Sequence, residues 1–177
     1  SPYYLAWNSF MQGWALSEQG RVEQGIEQME QSLADFQALQ AGLRRPYYLG
    51  LLAEAYGKVG RTRDGLSLTE EALAQARRQE QLAYEPDVHR VRAELLRQDG
   101  APFQEVETCL HHAIESAQQR EAKLPELRAT TSLARLYQEQ GERDAAQQIL
   151  TPTAAWFSEG FEMADLQAAR KLLDSLT

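Results

Sequence analysis

Between Arg45 and Gln79 the apolar positions fall into two runs with the same spacing. Leu49, Leu52, Ala53 and Tyr56 sit at i, i+3, i+4 and i+7, which is one face of an α-helix. Beyond Gly60 a second helical run follows through Leu66, Leu68, Thr69, Ala72, Leu73 and Ala76. Pro46 suits the first turn of the first helix, where a missing N–H costs nothing. Gly60 suits its stop, because glycine enters the left-handed conformation without strain. The pattern predicts two antiparallel helices joined at a glycine. No alternating run of β-branched residues competes with it, so the expected fold is all-α.

The same unit recurs along the chain. "GWALSEQG", "AEAYGKVG", "AELLRQDG" and "ARLYQEQG" each place a small residue (Gly13, Ala53, Ala93, Ala134) seven positions before a glycine (Gly20, Gly60, Gly100, Gly141). The glycines step by 40, 40 and 41 residues, and Pro46, Pro86 and Pro125 precede the later copies. Small side chains at these positions are what close helix crossings require, and Gly25, Gly65 and Ala146 supply matching small residues on the second helices. In the third copy "APFQEV" carries one extra residue, so its second helix is expected to start late. A periodicity of this kind predicts a solenoid. The expected repeats cover residues 3–42, 46–83, 86–122 and 125–159 of a single domain.

The ending departs from the rhythm. Pro152 falls inside the fourth second helix and should kink it or end it early. "WFSEGF" then supplies bulky apolar residues, with Gly160 as a stop. Leu166, Ala169, Leu172, Leu173 and Leu176 form one apolar face, opposite Asp165, Gln167, Arg170, Lys171 and Asp174. This predicts a capping helix over 163–176, with Trp156 and Phe157 as buried cover beneath it.

These residues resemble the tetratricopeptide repeat. That family places a small residue in its first helix, then an aromatic or Leu, a glycine turn, and a small residue in its second helix. Gly13, Leu16, Gly20 and Gly25 match in order, as do Ala53, Tyr56, Gly60 and Gly65. So do Ala93, Leu96 and Gly100, and then Ala134, Tyr137, Gly141 and Ala146. The period exceeds the family's usual repeat of about 34 residues. The resemblance implies an α-solenoid of about four antiparallel helix pairs wound as a right-handed superhelix. The strings "RPYYLGLLAEAYGKVGR", "VHRVRAELLRQDG", "LPELRATTSLARLYQEQG" and "WFSEGFEMADLQAARKLLDSL" further resemble a specific context. They look like the C-terminal repeat region of bacterial adenylate/guanylate cyclases and predicted signal-transduction ATPases. That likeness implies a fragment of a larger protein, a non-catalytic regulatory or scaffold module whose partners include other domains of the parent chain. The alternative is a free-standing scaffold binding a peptide or helix of a partner protein.

Composition narrows the function classes. The 177 residues are 43% hydrophobic, yet no apolar stretch is long enough to span a membrane. With 18 basic against 26 acidic residues the formal net charge is −8, and Lys and Arg never cluster beyond a pair, which argues against nucleic acid. No secretion signal is visible, and the single Cys109 suits a reducing, cytoplasmic setting and a core position. His111 and His112 are adjacent and point about 100° apart on a helix, so they cannot share a metal as an i, i+4 pair could. His89 reads as a packing residue. No phosphate loop, nucleophile elbow or HExxH motif occurs, and carboxylate pairs such as Glu70–Glu71 belong to a solvated face. No enzyme activity, cofactor or metal is expected.

The candidate site follows from the solenoid, whose concave surface is lined by the first helix of each repeat. The first repeat would present Trp7, Phe10 and Trp14, and the second Tyr47, Gly50, Glu54 and Lys58. The third would present Asp87, Arg90, Glu94 and Arg97, and the fourth Arg128, Thr131, Arg135 and Gln138. Such a groove would run from an aromatic end to an arginine end, suited to an acidic or C-terminal peptide. Two blander readings stand beside it. Trp7, Phe10 and Trp14 would also pack against a preceding repeat, and Glu94 is spaced to pair with Arg90 and Arg97. The apolar start, "YYLAWNSF", further suggests homodimerisation through the N-terminal face.

Overall fold

The computed structural model describes all 177 residues, which form nine α-helices and no strand. They run α1 (Pro2–Glu18), α2 (Val22–Ala38), α3 (Arg45–Lys58), α4 (Thr62–Arg78), α5 (Glu85–Gln98), α6 (Phe103–Gln119), α7 (Lys123–Glu139), α8 (Arg143–Ala155) and α9 (Ala164–Leu176). A single 3-10 turn, Leu82–Tyr84, precedes α5. No helix is long and apolar enough to cross a membrane. The helices group into two compact units. One comprises Ser1–Tyr84 and Glu94–Ala101, the other Glu85–Ala93 and Pro102–Thr177, so α5 contributes residues to both.

In the first unit α1 packs on α2 and α3 on α4, with α3 also against α1 and α2. The helix crossings explain the small residues. A Cβ added at Gly13 would lie 2.8 Å from the Gly25 carbonyl oxygen, and one at Gly25 would lie 2.8 Å from the Ser17 backbone nitrogen. Backbone meets backbone there, and neither position has room for a side chain. Ala53 is fully buried, and a Cβ at Gly65 would sit 3.1 Å from its carbonyl oxygen. Around these crossings Phe10, Phe36 and Tyr48 form an aromatic layer. Phe36 and Tyr48 stack at 4.8 Å, and Phe10 lies 4.7 Å from Tyr48.

In the second unit α7 packs on α6, α8 and α9, and α9 also meets α8. Ala134 and Ala146 are fully buried at the α7–α8 crossing, and Leu127, Leu150, Leu166, Ala169, Leu172 and Leu176 complete its core. The extra residue after Gly100 does delay the second helix, because α6 starts at Phe103 behind Pro102. Pro152 lies inside α8, which spans 13 residues where α2, α4 and α6 span 17. α9 then buries the apolar face read from its sequence.

The turns repeat as regularly as the helices. Gly20, Gly60, Gly100 and Gly141 all have positive φ. In each case the following residue donates its N–H back across the turn: Arg21 to Leu16, Arg61 to Tyr56, Ala101 to Leu96, and Glu142 to Tyr137, at 2.9–3.0 Å. That closure satisfies carbonyls a helix end leaves open. The turns from second helix to next first helix use the same closure. There the left-handed residues are Gln40, Glu80 and Glu121, with φ of 53–54°. Ala41, Gln81 and Ala122 donate to Phe36, Ala76 and Ala117.

Two tyrosines fasten successive helix pairs. The Tyr56 hydroxyl on α3 donates to the Glu30 carboxylate on α2, and the Tyr137 hydroxyl on α7 donates to Glu107 on α6 at 2.6 Å. Burial, and then the adjacent carboxylate, pushes each phenol up to about 12. Both hydroxyls therefore remain donors at any ordinary pH.

Candidate interaction surfaces

The residues proposed for the groove divide into three physical classes. Phe10 and Thr131 are core. Phe10 is fully buried against Tyr48, and Thr131 is 4% exposed with its hydroxyl donating to the Leu127 carbonyl at 2.7 Å. Neither can meet a ligand, which corrects the surface role expected for them. Each lies among the buried residues of its helix, Phe10 with Ala6 and Gly13 on α1 and Thr131 with Thr130 and Ala134 on α7.

The second class is charged and already engaged. Arg128 donates two hydrogen bonds to Asp87, Nε to Oδ1 at 2.9 Å and Nη2 to Oδ2 at 2.7 Å. Its Nη1 donates to Asp165 on α9 at 3.1 Å. Arg90 reaches the same Asp87 at 3.4 Å. Burial alone would raise the Asp87 carboxyl, but Arg128 and Arg90 together hold it below its usual range. Burial opposes the charge on Arg128, yet the two carboxylates raise its pKa further. Arg128 is thus a bidentate clamp joining α5, α7 and α9 rather than an open fork for a ligand carboxylate. Asp165, expected to face water, is the clamp's third member. Arg97 is paired within its own helix to Glu94 at 2.6 Å, and Lys58 to Glu18 on α1 at 2.5 Å.

The third class remains presentable. In the first unit Trp7, Trp14, Tyr47 and Glu54 are half-buried, and Lys58, although paired with Glu18, is still exposed. The Tyr47 ring lies 5.2 Å from Tyr84 and 5.7 Å from Tyr48. In the second unit Arg135 is exposed, and Gln138 donates to the Ser175 hydroxyl at 3.0 Å.

The remaining chemistry-bearing residues are quiet. Cys109 is buried, its thiol donates to the His89 carbonyl at 3.2 Å, and burial pushes its pKa up to about 11. That thiol is a poor nucleophile at neutral pH. The His89 and His112 rings meet edge-on at 5.7 Å, and His111 approaches Glu107 at 4.0 Å. No three His, Cys, Asp or Glu side chains converge as a metal would need.

One surface escaped the sequence reading. Trp156, expected to be buried cover, is 59% exposed, and Phe161 is 43% exposed. The bulk beneath α9 comes instead from Phe157, Met163 and the α9 leucines. Trp156 borders a cleft of about 520 Å³ between α6 and α8, floored by α7. An equivalent cleft of about 460 Å³ lies in the first unit between α2 and α4, over α3.

No protein-family model matches the chain, and no curated protein resembles it in sequence. Solved structures do match. A putative kinesin light chain from Podosopora anserina with nearly identical TPR-like repeats is 19% identical, with a TM-score of 0.71. That match covers 99% of this chain and 86% of the other. A Rap protein complexed with Competence and Sporulation Factor is 19% identical at a TM-score of 0.79, over 99% of this chain but only 47% of the Rap protein. BtubC (BKLC) from P. vanneervenii is 19% identical at 0.64, covering 98% of this chain and 81% of that one. At these identities the likeness establishes the fold: an α-solenoid of TPR-like helix pairs.

Proposed function

We propose that this chain is a non-catalytic interaction module that binds a protein or peptide through exposed side chains of its first helices. The observation that carries the reading is that Trp7, Trp14, Tyr47 and Lys58 in one unit, and Arg135 in the other, stay at the surface of a TPR-like fold. Aromatic and arginine side chains are the types that dominate binding hot spots. The Rap protein, with the same fold, was solved in complex with Competence and Sporulation Factor, which supports a partner-binding role.

On this reading the module works in the cytoplasm as the C-terminal sensor or scaffold region of a bacterial cyclase or signalling ATPase. The support for that finer part is the resemblance of the four sequence strings. A free-standing scaffold is equally compatible with the fold. Self-association belongs to the same proposal, because Tyr4 and Leu5 on α1 are 64% and 71% exposed.

The test is affinity capture with the wild-type chain and with a Trp14→Ala, Lys58→Glu, Arg135→Glu triple variant. Arg128 is left intact because it holds the fold. The expected result is loss of at least one specific partner from the variant. Identical partner sets would remove the first-helix surface from consideration.

A further inference from the structure

From the geometry we infer a second binding site, the cleft between α6 and α8, which takes a short basic amphipathic segment of a partner protein. The inference rests on the protein-interaction reading but uses a different surface. Its lining is apolar at Ile114 on α6, Leu133 on α7 and Ile149 on α8, and Trp156 stands at its edge. α8 runs through Pro152 and stops at Ala155, which leaves Trp156 at the helix terminus, touching Phe157 edge-on at 5.1 Å and otherwise largely open to solvent. An exposed indole bordering a cleft of this size has the composition of a binding anchor.

The charges of the cleft choose the occupant. Glu126 is 6% exposed and accepts hydrogen bonds from Gln118 Nε2 at 3.0 Å and Lys123 Nζ at 3.1 Å. Glu115 adds a second carboxylate at the rim, where His111 also stands. Two carboxylates face one lysine, in a chain whose net charge is −8. Phosphates and acidic peptides are therefore repelled, and a cation beside an apolar group is favoured. Lys123 already marks where that cation would sit. Its ammonium lies between the Glu126 carboxylate and the Trp156 ring, 5.5 Å from the ring centroid. A guanidinium stacks on an aromatic face and pairs with carboxylates better than an ammonium does, so a partner arginine would displace Lys123. Its apolar neighbour would fill the space over Leu133.

Selection of a random peptide library on the immobilised full chain tests this, followed by fluorescence-polarisation titration of the enriched peptides. The expected enrichment is an arginine next to a large apolar residue. Trp156→Ala should weaken binding about tenfold and Glu126→Gln several-fold, with unchanged thermal midpoints for Trp156→Ala because the indole is exposed. Lys123→Ala should strengthen binding by removing the resident competitor, a gain no merely structural role would produce. The triple variant in Trp14, Lys58 and Arg135 should bind as wild type. Acidic consensus peptides, no enrichment, or affinity unchanged by Trp156→Ala would each overturn the cleft. Peptides sensitive only to the triple variant would overturn it while leaving the first-helix reading intact.

Discussion

Gln40, Glu80 and Glu121 occupy the left-handed region, which costs a residue with a Cβ about 1–2 kcal/mol. Glycine at such a site relieves that strain but makes the unfolded chain more flexible, a loss of about 0.5–1 kcal/mol. Strain relief is the larger effect. Glu80→Gly should therefore stabilise the chain by about 0.5 kcal/mol, read as a higher urea midpoint with unchanged slope. A lower midpoint would contradict this assignment. The four glycine turns were legible in the sequence because glycine at a helix end has a conformational meaning. The other three turns were not, because Gln and Glu carry no such preference. Trp156 was misread for a related reason. A cap must bury bulk, but which bulk is decided by where α8 stops, three residues beyond Pro152.

At the scale of elements, the close crossings were the most legible feature, since only small residues permit them. Gly25→Ala gains about 1 kcal/mol of helix propensity but drives a methyl into the backbone of α1, at a cost of about 1–3 kcal/mol or more. Net destabilisation is expected. At Gly57 the added methyl meets only the far ends of the Leu95 and Gln98 side chains, at 2.9 and 3.4 Å, so Gly57→Ala should be close to neutral by the same unfolding measurement. Equal effects at both positions would refute the crossing argument. The Asp87–Arg128–Asp165 clamp was illegible, because helical i, i+4 arithmetic pairs only residues on one helix. Asp87, held below its unfolded value of about 3.9, stabilises the fold above that pH. This contribution is lost as pH falls through about 4 toward the folded value. Asp87→Asn should lower stability at neutral pH and flatten the acid limb of a stability–pH profile. An acid limb parallel to wild type would show that the clamp contributes nothing.

At the scale of the whole molecule, the ends differ in what they show to solvent. α9 buries its leucines and presents Gln167, Arg170, Lys171 and Asp174, whereas α1 presents Tyr4 and Leu5. Self-association through α1 should appear in light scattering as a mass rising above the 20.0 kDa monomer with concentration, and Leu5→Glu should abolish the rise. A strict monomer at high concentration would dismiss that contact. The central claim is that partners engage the exposed side chains of the first helices. Hydrogen–deuterium exchange on the full chain, alone and with the strongest captured partner, tests it most directly. The expected result is added protection in α1, α3 or α7, around Trp14, Lys58 or Arg135. Protection absent from every one of those helices would contradict it.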